Sequence, residues 1–477
     1  MKKIWTVVLM LALAMTATTA VWAADTETDT ETDTVVGYSS ACVEQVDLSD
    51  VPNILEYADF FESPEAFQIT SAQGLEELSV LSNLGEPFKG VTIYLANDID
   101  MSEIEDFEPI GNGRATASFE GTFDGQGHVI DNLKVSVTAE DRIDNIIFCG
   151  LFGTLVNATV KNLVIGSGCE FVCTSEDTDA RTGAVAANVG AAVVIDNVYN
   201  LGTVKGQRNT GGIVGFLDGY LGTDARTISN CTNAGTVSTN HGPTGGIVGM
   251  VAQPSLTVIN CRNVGAVNGL GGTGETDTFN ATGGIAGRCF ADNLTITGCI
   301  NNGPITSANA MAGGILGGMQ DKNTASITDC VNYGELSGLV TGIYNAAEGI
   351  TVTVTNCENL AGETDESLEG DLEEIVPDFP SDDDDNPGGD PSDTEQPGDD
   401  DDEPTTPGTG EDETQGEDTT KEPEQSRESE YSGEDTTQPS GNEPADDDGG
   451  CASSVSGGLI VLALCAAALI GVRKKKD

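Results

Sequence analysis

Through the middle of the chain, apolar residues come in short runs broken by Gly and Asn, not in long amphipathic stretches. Runs such as "TISNC" and "LTITGC" alternate in the way that half-buried strands do, and they are too short and too glycine-rich for helices. The phrase recurs six times: "VVIDNVYNLGTV", "RTISNCTNAGTV", "LTVINCRNVGAV", "LTITGCINNGPI", "SITDCVNYGEL" and "VTVTNCENLAG". Alignment puts Val198, Cys231, Cys261, Cys299, Cys330 and Cys357 in register, at steps of 33, 30, 38, 31 and 27 residues. Two positions on, Asn200, Asn233, Asn263, Asn301, Asn332 and Asn359 also align. Gly202, Gly235, Gly265, Gly303 and Gly334 follow, and Ala361 breaks that series.

A second phrase lies between these units: "TGGIVGF" at Gly211–Gly212, "TGGIVGM" at Gly245–Gly246, "TGGIAGR" at Gly283–Gly284 and "AGGILGG" at Gly313–Gly314. Weaker relatives are "GLFGTL" from Gly150 and "TGAVAAN" from Thr182. One such unit cannot bury its apolar side alone, whereas stacked units build a continuous core. Parallel stacking at about 4.8 Å per rung sets equivalent residues directly above one another. The predicted architecture is all-β: a right-handed parallel β-helix, or β-solenoid. Its aligned Cys or Val point inward, and its Asn and Gly ladders lie at corners where Asn adopts the left-handed conformation and bonds along the stack. A propeller would need about four strands per repeat; two clear runs are visible, with room for a third. Upstream, "SAQGLEELSVLSN" reads as a short helix with Ser71 as N-cap, Glu76 and Glu77 in its first turns, and Leu75, Leu78 and Leu81 on one side. It is expected to cap the N-terminal end of the stack.

"GGIVG" repeats with intervening "NCxNxG" resemble the GLUG-type repeats of bacterial surface proteins. "VTIYLANDIDM", "FEPIG" and "FEGTFDGQGHVIDNLKV" are similar to the opening segment of such proteins, in which a short helix precedes the first rungs. The resemblance covers about residues 67–360. It implies a solenoid of the kind found in adhesins and beside IgA-specific metallopeptidase domains, although no peptidase motif accompanies the repeats here.

The ends set the compartment. Lys2 and Lys3, an apolar run from Ile4 to Ala14 and the small residues of "TAVWA" form a secretory signal peptide over 1–23. Both tryptophans, Trp5 and Trp22, leave with it. A linker over 24–40, expected to be disordered, leads to the solenoid body at 41–360. The formal net charge of −58 is concentrated in 361–450, which holds 35 Asp or Glu against Lys421 and Arg427. This Pro-, Gly-, Ser- and Thr-rich segment cannot bury enough apolar surface to offset chain entropy, and it is expected to be a disordered, self-repelling stalk. A nucleic-acid partner is excluded by that charge. The segment 451–477 carries an uncharged, mostly apolar stretch from Ala452 to Val472 and then a basic end, the pattern of a transmembrane helix with its basic side cytoplasmic. "GGC" at Gly449, Gly450 and Cys451 followed by that helix resembles the Synergist-CTERM and GlyGly-CTERM sorting domains. The resemblance implies processing near Cys451 by a sorting protease and delivery to the cell surface.

Candidate chemistry is sparse. The acidic groups to weigh are Asp98 and Asp100 in "NDID", Asp124 in "FDGQGH", Asp141 and Asp144 with Arg142 in "EDRIDN", and Glu176, Asp177 and Asp179 in "SEDTDAR". Asp at a rung end caps backbone amides, and "SEDTDAR" lacks the EF-hand spacing for calcium. With His128 and His241 as the two histidines, and cysteines in strand register and not in CxxC pairs, neither a zinc centre nor a triad has material. No cofactor is expected. The ladder cysteines read as buried thiols, since Val198 fills the same slot; Cys169 and Cys173 in "CEFVC" are the candidate bridge of this exported chain. These residues predict a non-enzymatic, exported surface protein. It would be attached to the envelope through its C-terminal helix and would bind an extracellular protein or glycan by its flank. The alternative is a polysaccharide-active β-helix lyase or glycosidase. The two are separated by whether carboxylates, or an Asp/Arg group, converge on one face of neighbouring rungs.

Overall fold

A computed structural model describes residues 36–365, apart from 61–63, 114–116, 144, 176–178, 253–254, 271–279, 292, 309–310, 321–323, 339–341 and 347–349. The expected signal peptide, most of the stalk and the C-terminal sorting segment with Gly449, Gly450 and Cys451 lie outside the described residues. Among those that are described, no helix is long and apolar enough to cross a membrane.

The chain winds as a parallel β-solenoid. One turn shows the plan. Ser255–Ile259 runs into a left-handed Asn260, the inward Cys261 and then Arg262–Asn263; Val267–Gly269, Thr282–Gly283 and Ala286–Cys289 complete the circuit. On the first face, nine parallel pairings join ten successive strands from Ala66–Ile69 to Thr351–Thr355. The other three faces are parallel sheets of 7, 6 and 6 strands. A turn therefore contains more strands than the two or three legible in the sequence. What separates the fold from a propeller is that each strand pairs with its equivalent one turn away, and not with its neighbours in the repeat.

Alternation on the first face sends Leu256 and Val258 inward and leaves Thr257 on the flank. A single apolar core runs along the axis from Ile54 to Cys330. Near its N-terminal end it is built from phenylalanines, with Phe119 and Phe152 at 5.2 Å between ring centroids and Phe123 and Phe152 at 5.4 Å. The helix α1, Ala72–Asn83, starts at Ser71, whose side chain accepts from Gly74 N, and it buries Leu75 and Leu78. Gly74 lies against Ile69 of the first rung and Ile54 of the preceding short 3-10 turn, so the helix covers the end of the stack.

Two boundaries move inward on the expected flexible segments. Residues 36–40, assigned by their composition to the linker, lie on the solenoid. Gly37 N donates to Asn260 O at 2.8 Å, and the Tyr38 ring stacks on Tyr199 at 5.5 Å. The strap continues across lower rungs, where Val46 N donates to Gln126 Oε1 at 2.8 Å and the Gln68 side chain reaches Leu48 O and Val51 O. Its Tyr38 covers a small outer apolar column of Val129, Val164 and Tyr199. At the other end, 361–365 folds back along the flank, with Gly362 N donating to Tyr333 O at 2.8 Å and Asp365 buried. Neither contact is periodic, so neither shows in a pattern of repeats.

Candidate functional site

The aligned asparagines form an unbroken side-chain ladder inside the stack. Nδ2 of Asn200, Asn233, Asn263, Asn301 and Asn332 each donates to Oδ1 of the next, at 2.8, 2.8, 2.7, 2.7 and 2.7 Å, ending on Asn359. The second Nδ2 hydrogen of each goes to the carbonyl two residues on, from Gly202 to Gly334. Asn200 through Asn332 are fully buried, and a buried amide is tolerated only with its bonds made. These asparagines are not the left-handed ones. The residue preceding the Cys slot takes that role, with φ of 53° at Asn197, 51° at Asn230, 50° at Asn260, 63° at Gly298 and 54° at Asp329. The expectation of one corner ladder thus divides into two columns, one inward and extended, one outer and left-handed.

Val198, Cys231, Cys261, Cys299 and Cys330 fill one buried slot, with Cys357 partly exposed at the last rung. All these thiols are free. Backbone N–H groups of Cys261, Cys299 and Cys330 each point at the sulfur of the following rung at 3.4 Å. Burial pushes the Cys261 and Cys299 thiols well above the ordinary range, so they stay protonated and inert. The bridge expected between Cys169 and Cys173 is not formed: both thiols are free and buried. They sit four residues apart on one extended run, roughly 13 Å by strand rise, well beyond bridging distance.

The candidate acidic groups cap loops. Asp98 accepts from Val129 N at 2.9 Å and pairs with His128 Nδ1 at 3.0 Å. Asp124, nearly fully buried, accepts from Gln126 N and Asn162 Nδ2 and pairs with Lys161 at 3.1 Å. Asp141 closes a capping box with Thr138, and Arg142 follows as its C-cap. His241 is exposed on a turn, far from these groups in sequence. Asp144, Glu176 and Asp177 lie outside the described residues.

Two convergences occur on neighbouring rungs. Asp100 stands in register with Asp131. Asp100 accepts from Ser102 N and Asn132 Nδ2, while Asp131 accepts from Asn132 N and Gly168 N. Partial burial raises the Asp100 carboxyl, yet hydrogen bonds from Asn132 and Ser102 outweigh it and hold the group below its usual range. A general acid of a glycosidase needs the opposite shift.

The other convergence is an Arg/Asp group that no motif of the sequence brings together. Arg181, from the end of "SEDTDAR", donates through Nη1 to Asp218 at 2.9 Å and to Asn188 Oδ1 at 2.6 Å, and its Nε meets Asp179 at 3.3 Å. The Phe216 ring lies 4.0 Å from its guanidinium carbon. Arg226 next to it donates to the carbonyls of Gly190, Asp218, Gly222 and Asp224. Together they brace the corner Asp218–Ala225. That corner spans eight residues where the equivalent 190–193 spans four, and this length is the one sequence signal that marks it. Side-chain exposure is 3 % for Arg181 and 0 % for Asp218, so the pair faces protein rather than a substrate. Tyr220 at the tip is 89 % exposed. Among the described residues, no group of three or more His, Cys, Asp or Glu is arranged to hold a metal ion.

No family model matches the chain. A stretch of 109 residues is 38% identical to halomucin of Haloquadratum walsbyi (strain DSM 16790 / HBSQ001), covering 23% of this chain and 1% of that protein. The chain therefore spans about one hundredth of the length of the curated relative it matches. In crystal form, a "putative immunoglobulin A1 protease" from Bacteroides ovatus superposes with a TM-score of 0.47 at 21% identity, over 62% of this chain and 84% of that one.

Proposed function

We propose that the protein is a non-enzymatic surface solenoid of the GLUG-repeat kind, right-handed like most parallel crossover folds. It would bind an extracellular protein or glycan through its flank and be held to the envelope by the 451–477 segment across the acidic stalk. The observation that carries this reading is the use made of the polar groups. The interior asparagines form a rod-stiffening ladder, and Asp98, Asp100, Asp124 and Asp141 are committed to loop caps. A stiff rod with capped corners suits display. Likeness to a segment of halomucin supports an extracellular location.

Fractionation of cells tests it. The full chain should remain with the envelope, and deletion of residues 451–477 should send it into the medium. The released mature chain should then retain host matrix proteins or glycans in a binding panel without releasing sugar fragments. A truncated chain that stays cell-bound would remove the anchoring role. New reducing ends or unsaturated products from a polysaccharide would turn the reading to the enzyme.

A further inference from the structure

We propose that Arg262 is a latch that fastens both ends of the folded body to the middle of the stack. Its Nε donates to Val36 O at 3.1 Å and its Nη1 to Asp365 Oδ2 at 3.4 Å. The first partner is 226 residues away in sequence and the second 103. The side chains of Arg262 and Asp365 are each 3 % exposed. Asn302 Nδ2, one rung on, donates to the same carboxylate oxygen at 2.7 Å. A planar guanidinium can serve two acceptors in different directions at once, which a lysine ammonium does poorly.

The surroundings are shaped for this meeting. Arg262 projects from the first face in register with Thr232, and Thr232 Oγ1 accepts from Tyr38 N at 2.9 Å. Gly37 between them has φ of +105°, and a Cβ there would run into Thr232 Oγ1 and stand 3.3 Å from Arg262 Cβ. Only glycine combines that conformation with that approach. Ser39 then exchanges two hydrogen bonds with Asn197, at 2.8 and 3.2 Å, carrying the strap toward the first rungs. From the opposite end, Leu360 N and Gly362 N bond back to Asn332 O and Tyr333 O, carrying the chain from the last rung down to Arg262.

The consequence is mechanical. A solenoid is held rung by rung, so tension on a free end peels the terminal rung first. Here Thr351–Thr355 is largely exposed and paired on one side only among the described strands, the weakest place in the stack. With Asp365 latched, the rungs of Cys299, Cys330 and Cys357 lie inside a loop closed by Arg262, and a pull on the stalk enters at the latch. The load role rests on the tether proposed above; the fastening itself does not.

Hydrogen exchange on the mature full-length chain separates the two. In Arg262→Met, amides of Gly37 and Gly362 should exchange at least tenfold faster, with Val248 in mid-stack unchanged. Asp365→Asn should accelerate Gly362 and leave Gly37 at its wild-type rate. Pulling the chain by its two ends should show a first release at lower force in either variant. Wild-type exchange at Gly37 and Gly362 in Arg262→Met overturns the latch. Equal acceleration of Gly37, Gly362 and Val248 in both variants also overturns it, since Arg262 would then be a core residue and nothing more. The fractionation above decides the tether independently.

Discussion

A side-chain carbon built on Gly246 would stand 2.6 Å from Oδ1 of Asn263, the asparagine of the following rung. The same relation joins Gly284 to Asn301 at 2.7 Å and Gly314 to Cβ of Asn332 at 2.7 Å. The second glycine of each "TGGIVG" phrase thus has no room for a side chain: the asparagine of an "NCxNxG" phrase occupies the space, together, at Gly246 and Gly284, with the carbonyl of the next rung's glycine. Neither phrase is a spacer for the other; each fills the other's vacancy.

Gly246→Ala should therefore destabilise the body by about 1–3 kcal/mol, the usual cost of overpacking a filled core. Gly284 O blocks the same space, so Asn263→Ala in the same chain should not restore the loss. A urea midpoint equal to wild type in Gly246→Ala would show that the two phrases are not in contact.

Asn263→Ala on its own removes one amide from the ladder. It leaves Nδ2 of Asn233 without its acceptor and Oδ1 of Asn301 without its donor, each in a fully buried setting. At about 1–3 kcal/mol for each stranded group, the loss should exceed that of Gly246→Ala. Denaturation curves that rank the two the other way would make the ladder ornamental.

For the sulfur column, Cys261→Val should cost at most ~1.5 kcal/mol as a near volume-conserving swap. Cys261→Asp should prevent folding, because a charge would enter the stack unpaired. A thiol reagent on the native chain should modify Cys42, which is exposed, and spare Cys231 to Cys330. Mass spectrometry that finds Cys231 bridged to Cys261 would contradict the free-thiol column.

At the braced corner, Asp218→Asn removes the buried charge partner of Arg181 and leaves it only the more exposed Asp179. Breaking one side of a buried pair costs about 3–5 kcal/mol. The replacement of both by Leu and Met should cost less than the single change, a double-mutant comparison readable by thermal unfolding. Equal losses would mean that the two groups do not act as a pair.

The strap should respond to alkali. Burial pushes the Tyr38 phenol up to about 12 from an ordinary value of 10.0. Because the folded value is the higher one, the burial of Tyr38 stabilises fully below pH 10, and that contribution is lost as pH rises from 10 through about 12. Tyrosinate absorbance should show a component titrating near 12 that vanishes in Tyr38→Phe. If Tyr38→Phe instead removes a component titrating near the ordinary 10.0, residues 36–40 are not docked.

The repetition itself was enough to specify the stack. The recurrence of one phrase around Cys231, Cys261 and Cys299, at steps of 30 and 38 residues, sets equivalent residues one above another, and parallel pairing follows because only then does one unit bury the next. Ser71 was equally legible, since an N-cap is a local bond to Gly74 N within three residues. What periodicity could not convey was where contacts across the repeat fall. Which asparagine turns left-handed depends on strand curvature, and so Asn230 does while Asn233 stays extended. Arg181 and Asp218 lie 37 residues apart, Arg262 and Val36 226, and no interval of the repeat relates either pair. Such bonds form because the winding brings those side chains to one place and then buries them, so that their charges and carbonyls must be satisfied there. The strap and the latch are consequences of the assembled surface, and a run of residues read alone as a linker holds the body together because that surface exists.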